Sequence, residues 1–520
     1  MSAARNLLFI MCDQLRADHL GCYGHRHLAT KNIDALASRA VRFERAFVQS
    51  GVCGPSRMSF YTGRYMSSHG ATWNRVPLSV GEITLGEYLR TAGRALALTG
   101  KTHVMTDTDG MTRLGLDAHD ERGHLLGAGG FVEIDRHDGH SPEAGGAYAA
   151  YLRTHGYDCT DPWSDYVISA IDPHGRVASG WLMRNAGLPA RVAEAHSETA
   201  YTTERAVDFI RAQGDRAWAL HLSYVKPHWP YLAPAPYHER YSLEQCLPVK
   251  RDARELDSPH PVLAAYRQQE ECANFMRDEV WQAVRPTYQG LVQQIDDHLG
   301  RVWDALEALG RFADTMIVFT SDHGDYLGDH WLGEKEHFHD VIQRVPLIVY
   351  DPDVGADATR GRAEMRLVEG IDLVPTFLEA LGLPVASERI EGRSLLPLLR
   401  GVNESAWRDV VISELDYAYR EARRILRRAP DACRAWMART ERWKYVHWQD
   451  LPPQLFDLAA DPDEFVDLGR EPAHESVRRE MRDRLFEWST KLKRRVTVTD
   501  EQVAAGTAAH KRAGVFFGQW

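Results

Sequence analysis

The feature that most constrains this chain is a repeated one: a short apolar run that stops abruptly at polar residues. The run at 7–12 ends in Asp13 and Gln14. The run at 95–98 leads to Gly100 and Lys101, and the run at 218–223 leads to Lys226, Pro227 and His228. The run at 315–320 leads to Ser321, Asp322, His323 and Gly324, and 346–350 is a further run. A strand covered on both faces reads as an uninterrupted apolar stretch, and parallel sheets are covered on both faces. Amphipathic helical patterns lie between the runs, at 32–39, 83–91 and 288–309. In the last, Leu291, Ile295, Leu299, Val302 and Leu306 form one stripe. Strands alternating with helices predict an α/β fold, a large mostly parallel sheet sandwiched by helices. Such sheets place their sites at the carboxyl ends of the strands, where the polar residues gather here.

The pattern changes after Gly392. Residues 410–414, 435–439 and 443–448 read as antiparallel strands, followed by a turn-rich stretch at 456–462 and a charged amphipathic helix at 475–493. The expected organisation is a catalytic unit over 1–400, a smaller C-terminal α+β subdomain over 401–495, and a tail over 496–520. Residues 106–156, rich in Gly, Asp and His, read as an irregular surface excursion, and 247–278 as a charged, broken insertion. The tail ends with Val515, Phe516, Phe517 and Trp520. Apolar side chains of this size on a free tail are costly to leave in water, so they are expected to dock on the body or on another subunit.

Charge and cysteine content exclude several function classes. A net charge of -11 argues against a broad nucleic-acid-binding surface. Seven cysteines, scattered and without a CxxC pair, predict reduced thiols rather than a disulfide framework or a structural zinc site. No run reaches the ~18 apolar residues of a membrane span, and the N-terminal run lacks a signal-peptide pattern. The expectation is a cytoplasmic protein without a membrane or nucleic-acid partner.

The most specific motif is Cys53-x-Pro55-x-Arg57, followed by Thr62, Gly63 and Arg64. With it stand Asp13 and Gln14, Gly100-Lys101-Thr102-His103, Lys226-Pro227-His228-Trp229-Pro230-Tyr231, Ser321-Asp322-His323-Gly324-Asp325, Lys335 ahead of Arg344, and the Phe456-Asp457-Leu458 turn. In this order, over residues 5–490, the set resembles the formylglycine sulfatases of the alkaline phosphatase superfamily. The resemblance implies that a formylglycine-generating enzyme oxidises Cys53 to an aldehyde whose hydrate is the nucleophile. It implies one divalent ion (Ca, Mn or Mg) held by Asp13, Gln14, Asp322, His323 and the modified Cys53. Gln14 departs from the second aspartate of many sulfatases; an amide oxygen can coordinate, but without charge.

Roles follow from the same resemblance. Arg57 neutralises charge at the nucleophile. Lys101 and Lys335 bind the nonbridging oxygens, where transition-state charge collects. His228 and Lys335 protonate the leaving oxygen, and His103 removes a proton from the second hydroxyl so that a covalent sulfo-enzyme hemiacetal collapses. Several blocks, among them Asp13-Gln14 and Asn74 as a substrate-binding residue, are especially similar to phosphonate monoester hydrolases, whereas Lys101 and His103 are the sulfatase choice. Sulfate ester hydrolysis therefore leads, with phosphonate monoester or phosphodiester hydrolysis second. A catalytically dead binding protein is disfavoured by the complete set of Asp13, Cys53, Arg57, His103, Asp322 and His323. A small anionic ester is the expected substrate, and the protein is expected to be a homo-oligomer, dimer or tetramer.

Overall fold

The computed structural model describes residues 4–139, 146–402, 406–516 and 518. Its core is a nine-stranded sheet. In chain order the strands are β1 (Asn6–Asp13), β2 (Val41–Phe47), β3 (Leu96–Gly100), β4 (Phe131–Arg136), then, after a small hairpin of β5 (Ser169–Ile171) and β6 (Val177–Ser179), β7 (Ala219–Pro227), β8 (Thr315–Ser321), β9 (Arg344–Tyr350), β10 (Ala363–Glu364) and β11 (Val368–Glu369). The spatial order is β10-β2-β9-β8-β1-β7-β3-β4, with β11 also on β2. The pairs β8-β1, β1-β7, β7-β3 and β3-β4 are parallel, and β9 runs antiparallel to both β8 and β2.

The central strand β1 shows why an unbroken apolar run is required. Leu7, Phe9 and Met11 point into one core, where the helix Cys53–Thr62 and the helix Leu373–Ala380 pack. Leu8, Ile10 and Cys12 point into the other, against Lys31–Arg39, Glu198–Gln213 and the long helix Asp278–Ala308. Alternate side chains face opposite sides of a strand, so a strand with helices on both sides has no face to give to water. Fully burying each such side chain is worth about 1.5–3 kcal/mol.

A second, antiparallel sheet follows: β12 (Val411–Asp416), β13 (Arg434–Arg439), β14 (Trp443–Trp448) and β15 (Gln454–Asp457), in that order. One face packs on the helix Glu475–Lys491 through Met481 and Leu485. The other face, with Met437, Val446 and Trp448, packs against Val52 and Trp73, beside Cys53. The C-terminal sheet thus buttresses the segment that carries the candidate nucleophile.

Three sequence expectations are corrected. Residues 106–139 are not a loose excursion: they hold the helices Thr108–Arg113 and Glu121–Gly127 and then β4, the edge strand of the main sheet. The stretch 247–278 contains the short helices Pro261–Tyr266 and Glu270–Phe275, whose Val262, Leu263, Tyr266 and Cys272 share a core with the C-terminal sheet. The long helix starts at Asp278, ten residues before the apolar stripe was read, and carries Pro286 inside it. A proline ordinarily breaks a helix interior, which is what masked the first turns. Strands β2 and β15 carry no strand pattern in the sequence: β2 is interrupted by Arg42, Glu44 and Arg45, and β15 overlaps the turn-rich stretch. In the tail, Val515 and Phe516 are 43% and 57% exposed, so they do not dock on the body of their own chain; Phe517 and Trp520 lie outside the described residues.

Candidate active site

The strand ends bring the predicted residues into one buried cluster. Asp13 closes β1, Lys101 follows β3, His228 follows β7, and Asp322 and His323 follow β8. Cys53 is the first residue of the helix Cys53–Thr62, so it sits where unpaired amides and the helix dipole favour negative charge. Gly54 follows because Asn74 crowds it: a Cβ there would lie 2.9 Å from Asn74 Oδ1. That oxygen accepts from the Gly54 amide at 2.7 Å, which aims the Asn74 side chain at the helix start.

Cys53 Sγ marks where the side-chain oxygens of a modified residue would stand. It lies 3.0 Å from His323 Nε2, 3.1 Å from Lys335 Nζ and 3.7 Å from Asp13 Oδ1. Burial first, and Asp13 next, push the thiol up to about 12, so as a plain cysteine it stays protonated at neutral pH. His323 Nδ1 donates to the Gly324 carbonyl at 2.9 Å, which leaves Nε2 facing the cluster as a lone-pair donor. Burial holds His323 below its usual range, that is, neutral.

Two carboxylates, a neutral imidazole and the Cys53 side chain therefore converge, with one ligand atom from each of Asp13, Cys53, Asp322 and His323 lying within 4.8 Å of the others. Two carboxylate oxygens with an imidazole nitrogen suit a divalent cation. A second group, Glu255, His330 and His339, does not. His330 and His339 stack at 3.9 Å and 18°, and His330 Nδ1 is bonded to Glu255 at 2.8 Å. Stacked rings hold their in-plane lone pairs side by side, so they do not converge on one ion.

The cations are arranged around the carboxylates. Arg57 is fully buried. Its Nε donates to Asp322 at 2.7 Å, Nη2 to Asp13 at 3.4 Å, and Nη1 to the Lys101 carbonyl and Ser223 Oγ, each at 2.9 Å. It braces the ligand carboxylates. Lys101 Nζ lies 2.5 Å from Asp13 Oδ2. Burial alone would raise Asp13, but the cations Lys101, Arg57 and Lys335 outweigh it and hold the carboxyl well below its usual range. Lys335 Nζ donates to Gln14 Oε1 at 3.1 Å and meets His228 Nε2 at 2.7 Å. Since His228 Nδ1 lies 2.7 Å from the Trp229 carbonyl, a pure acceptor, the proton on that ring sits on Nδ1 and Nε2 accepts from Lys335.

Gln14 is held more elaborately than its sequence position suggests. Its backbone is left-handed, with φ of 66°, and its side-chain amide nitrogen donates to Asp325 Oδ2 at 2.6 Å. Tyr231 donates to the same oxygen at 2.7 Å, and the Leu327 amide to Asp325 Oδ1 at 2.9 Å. The amide is thus clamped with its oxygen toward Lys335. His103 is the other left-handed site residue, φ 58°. It is half-buried on the loop after β3, where Asp138 accepts from the Thr102 and His103 amides at 2.8 and 3.2 Å. Such backbone strain recurs at functional sites. Asp325 and Tyr231 were in view in their motifs, but spacing does not show that they face Gln14. Asp138 lies in a stretch whose Gly, Asp and His content reads as irregular.

Residues 5–383 match the Sulfatase family model, and 328–491 match that of the N-sulphoglucosamine sulphohydrolase C-terminal region. The chain belongs to the sulfatase family. It is 33% identical over 507 residues to the multifunctional alkaline phosphatase superfamily protein PehA of Trinickia caryophylli, covering 93% of this chain and 95% of that one. It is 27% identical to an arylsulfatase of Clostridium perfringens over 89% of this chain and 90% of that one. Among solved structures it is similar to a phosphonate monoester hydrolase from Silicibacter pomeroyi, with TM-score 0.83, 29% identity, and coverage of 96% and 98%. As a member of this family the chain is a hydrolase, and hydrolysis of sulfate or phosphonate esters is the activity its relatives support. No helix among the described residues is long and apolar enough to cross a membrane.

Proposed function

We propose that this protein hydrolyses sulfate monoesters with a formylglycine nucleophile formed from Cys53. The observation that carries the reading is the convergence of His323 Nε2, Lys335 Nζ and Asp13 on Cys53 Sγ, at the start of a helix. Asp13, Asp322 and His323 would hold a divalent cation, with Gln14 proposed as a further ligand through the oxygen that accepts from Lys335 at 3.1 Å; the ion would supply positive charge that favours ionisation of the attacking hydroxyl and offsets charge on the ester. Which of Ca, Mn or Mg fills it is set by cavity size and charge, and the neutral Gln14 lowers that charge.

The protein's own groups supply the rest. Arg57 holds the two ligand carboxylates in place. Lys101 and Lys335 offer ammonium protons to the nonbridging oxygens, and Asn74 has its amide nitrogen left for the same anion after its oxygen bonds Gly54. Burial works against the Lys335 ammonium, and the neighbouring Asp13 carboxylate works to keep the proton on it. Lys335 thus carries the proton that the leaving oxygen needs, and His228, accepting from it, keeps it aimed. His103, held by Asp138, takes the proton of the second hydroxyl when product is released.

Lys101 and His103 favour sulfate. The likeness to phosphonate monoester hydrolases over nearly the whole chain supports a second reading, phosphonate monoester or phosphodiester hydrolysis at the same site. Both ester types carry one negative charge, so one site can take both. The protein is read as cytoplasmic, matured by a formylglycine-generating enzyme, and homo-oligomeric. The test is a parallel turnover screen of aryl sulfate, phosphodiester and phosphonate monoester on protein co-produced with the generating enzyme. Turnover of sulfate esters at least tenfold above the others is the expected result, and activity that survives Cys53→Ala refutes the nucleophile.

A further inference from the structure

Lys335 meets the reacting atoms from a strained backbone. Its Nζ lies 3.1 Å from Cys53 Sγ, yet the residues on either side of it, Glu334 and Glu336, are both left-handed, with φ of 56° and 100°. Residues other than glycine rarely adopt that region and keep it only where the surroundings impose it. One constraint is the backbone itself. The Glu336 amide donates to the carbonyl of Gly51, just ahead of Cys53, at 3.1 Å. Gly51 is required there, because a Cβ would lie 2.6 Å from the Glu336 carbonyl oxygen. This contact fixes the Lys335 segment against the Cys53 segment.

The other constraint comes from the C-terminal sheet. The Glu336 carboxylate is buried; it accepts from the Tyr266 hydroxyl at 2.5 Å and pairs with Arg420 Nε at 3.1 Å. Arg420 lies in the loop after β12, and that loop is held in turn. The Ala418 amide donates to Asp416 Oδ1 at 3.0 Å, the Arg420 amide to the Tyr417 carbonyl at 3.0 Å, and Arg423 Nε to the Ala418 carbonyl at 2.7 Å. The same loop grips the other flank of the nucleophile. Asp416 Oδ2 accepts from Thr72 Oγ1 at 2.9 Å, and the Tyr419 ring stacks on Trp73 at 5.9 Å and 9°, next to the Asn74 that bonds the Gly54 amide.

A buried carboxylate beside an ammonium competes for it unless another cation satisfies it. Arg420 and Lys335 both act on Glu336, Arg420 the more strongly. With Glu336 satisfied by Arg420 and Tyr266, the Lys335 ammonium is left to Cys53, Gln14 and His228. We propose that Arg420 is a positioning residue for Lys335: by holding and neutralising Glu336 it keeps the ammonium aimed at the nucleophile and at the leaving oxygen. This rests on the ester-hydrolase reading above, and it extends the proton-delivery apparatus into the C-terminal sheet.

The experiment reads how each variant's loss depends on the leaving group. Protonation helps a departing 4-nitrophenolate little, since that anion carries its charge well, and helps phenolate more. Wild type, Arg420→Ala, Arg420→Lys, Glu336→Gln and Lys335→Ala are compared on 4-nitrophenyl, 4-chlorophenyl and phenyl esters of sulfate and of methylphosphonate. Each substrate is scored as its own wild-type to variant ratio in kcat/KM, and bound metal is measured alongside. Arg420→Ala is expected to lose about tenfold more on the phenyl than on the 4-nitrophenyl ester, part of the roughly 100- to 10,000-fold that a general acid supplies. Metal content should hold, since the ion-pair partners of Arg420 are Glu336 and Glu271. Arg420→Lys should recover part of the loss. Glu336→Gln, which keeps an acceptor for Tyr266 and gives up the ion pair, should show the same slope and carries the test where Arg420→Ala does not fold. Equal losses across the series, with or without loss of metal, overturn the proposal. If they are equal for Arg420→Ala while Lys335→Ala is steep, Lys335 stands as the acid and only its positioning by Arg420 fails. A flat series for Lys335→Ala overturns both. If wild type turns over none of these esters, the ester-hydrolase reading itself fails, and the proposal with it.

Discussion

Gln14 and Asp325 are expected to work as a pair in which only one member can carry charge. Changing Gln14→Glu keeps the shape and places a carboxylate oxygen where the amide nitrogen now sits, 2.6 Å from Asp325 Oδ2. At an effective dielectric of about 20, two unit charges at that separation repel by about 6 kcal/mol, so the pair keeps one proton between them. With that proton the hydrogen bond survives. Without it the clamp opens and Lys335 loses a fixed partner. The sign follows: the variant approaches wild type at low pH and falls away from it as pH rises through the upper pKa of the pair. Asp325→Asn alone also harms, because Asp325 now accepts from Gln14, Tyr231 and Leu327. An asparagine must turn its NH2 toward one of those donors, and a buried donor facing a donor costs about 1–3 kcal/mol. Combining the two changes lets the new amide at position 325 donate to the new carboxylate at position 14 and removes the pair of acids. The double variant is therefore expected to regain the alkaline limb that Gln14→Glu loses, with a coupling energy of about 2 kcal/mol against additive singles. The assay is kcat/KM from pH 6 to 9, with bound metal measured alongside by elemental analysis. Singles that add within about 0.5 kcal/mol, or a Gln14→Glu to wild-type ratio flat across pH, would refute the argument.

Further outcomes are expected at the nucleophile, the metal, the release step and the tail. Peptide mass spectrometry of protein matured with the generating enzyme should show position 53 about 18 Da lighter than cysteine, replacing SH by a carbonyl; an unshifted mass in an active sample contradicts the formylglycine assignment. Asp322→Ala removes a carboxylate that Arg57 braces at 2.7 Å, so metal content and activity should fall together, activity by at least about a hundredfold, on the scale of a lost metal-shell contact; full occupancy by elemental analysis contradicts the placement. His103→Ala should accumulate a covalently sulfated or phosphorylated enzyme on acid quench, and Asp138→Ala should do so more weakly, since Asp138 only holds the loop; slower binding with no adduct argues against the role. Truncation before Val515, whose side chain is 43% exposed, should lower the mass seen by light scattering; a full-length protein already monomeric at micromolar concentration rules out an oligomer held by the tail.

Much of this protein is legible in one dimension because its chemistry sits where the chain changes character. A strand covered on both faces must be apolar along its length, so β1, β3, β7 and β8 announce themselves. The polar residues at their ends, Asp13, Lys101, His228, Asp322 and His323, stand out against them. Cys53 and Arg57 are readable for the same reason, being one helical turn apart on a single element. What spacing does not carry is which strand end faces which. That Asp325 and Tyr231 grip Gln14, that Lys335 donates to His228, and that Arg420 from the C-terminal sheet pairs with Glu336 all depend on the sheet order and on loops crossing between strands. Strand β2, with Arg42, Glu44 and Arg45, and the helix turns before Pro286 were hidden because tertiary packing there overrides local propensity. Local composition determined the elements and the reactive groups; the contacts that orient those groups were decided only by the packed fold, since a hydrogen bond between residues hundreds of positions apart leaves no periodicity behind.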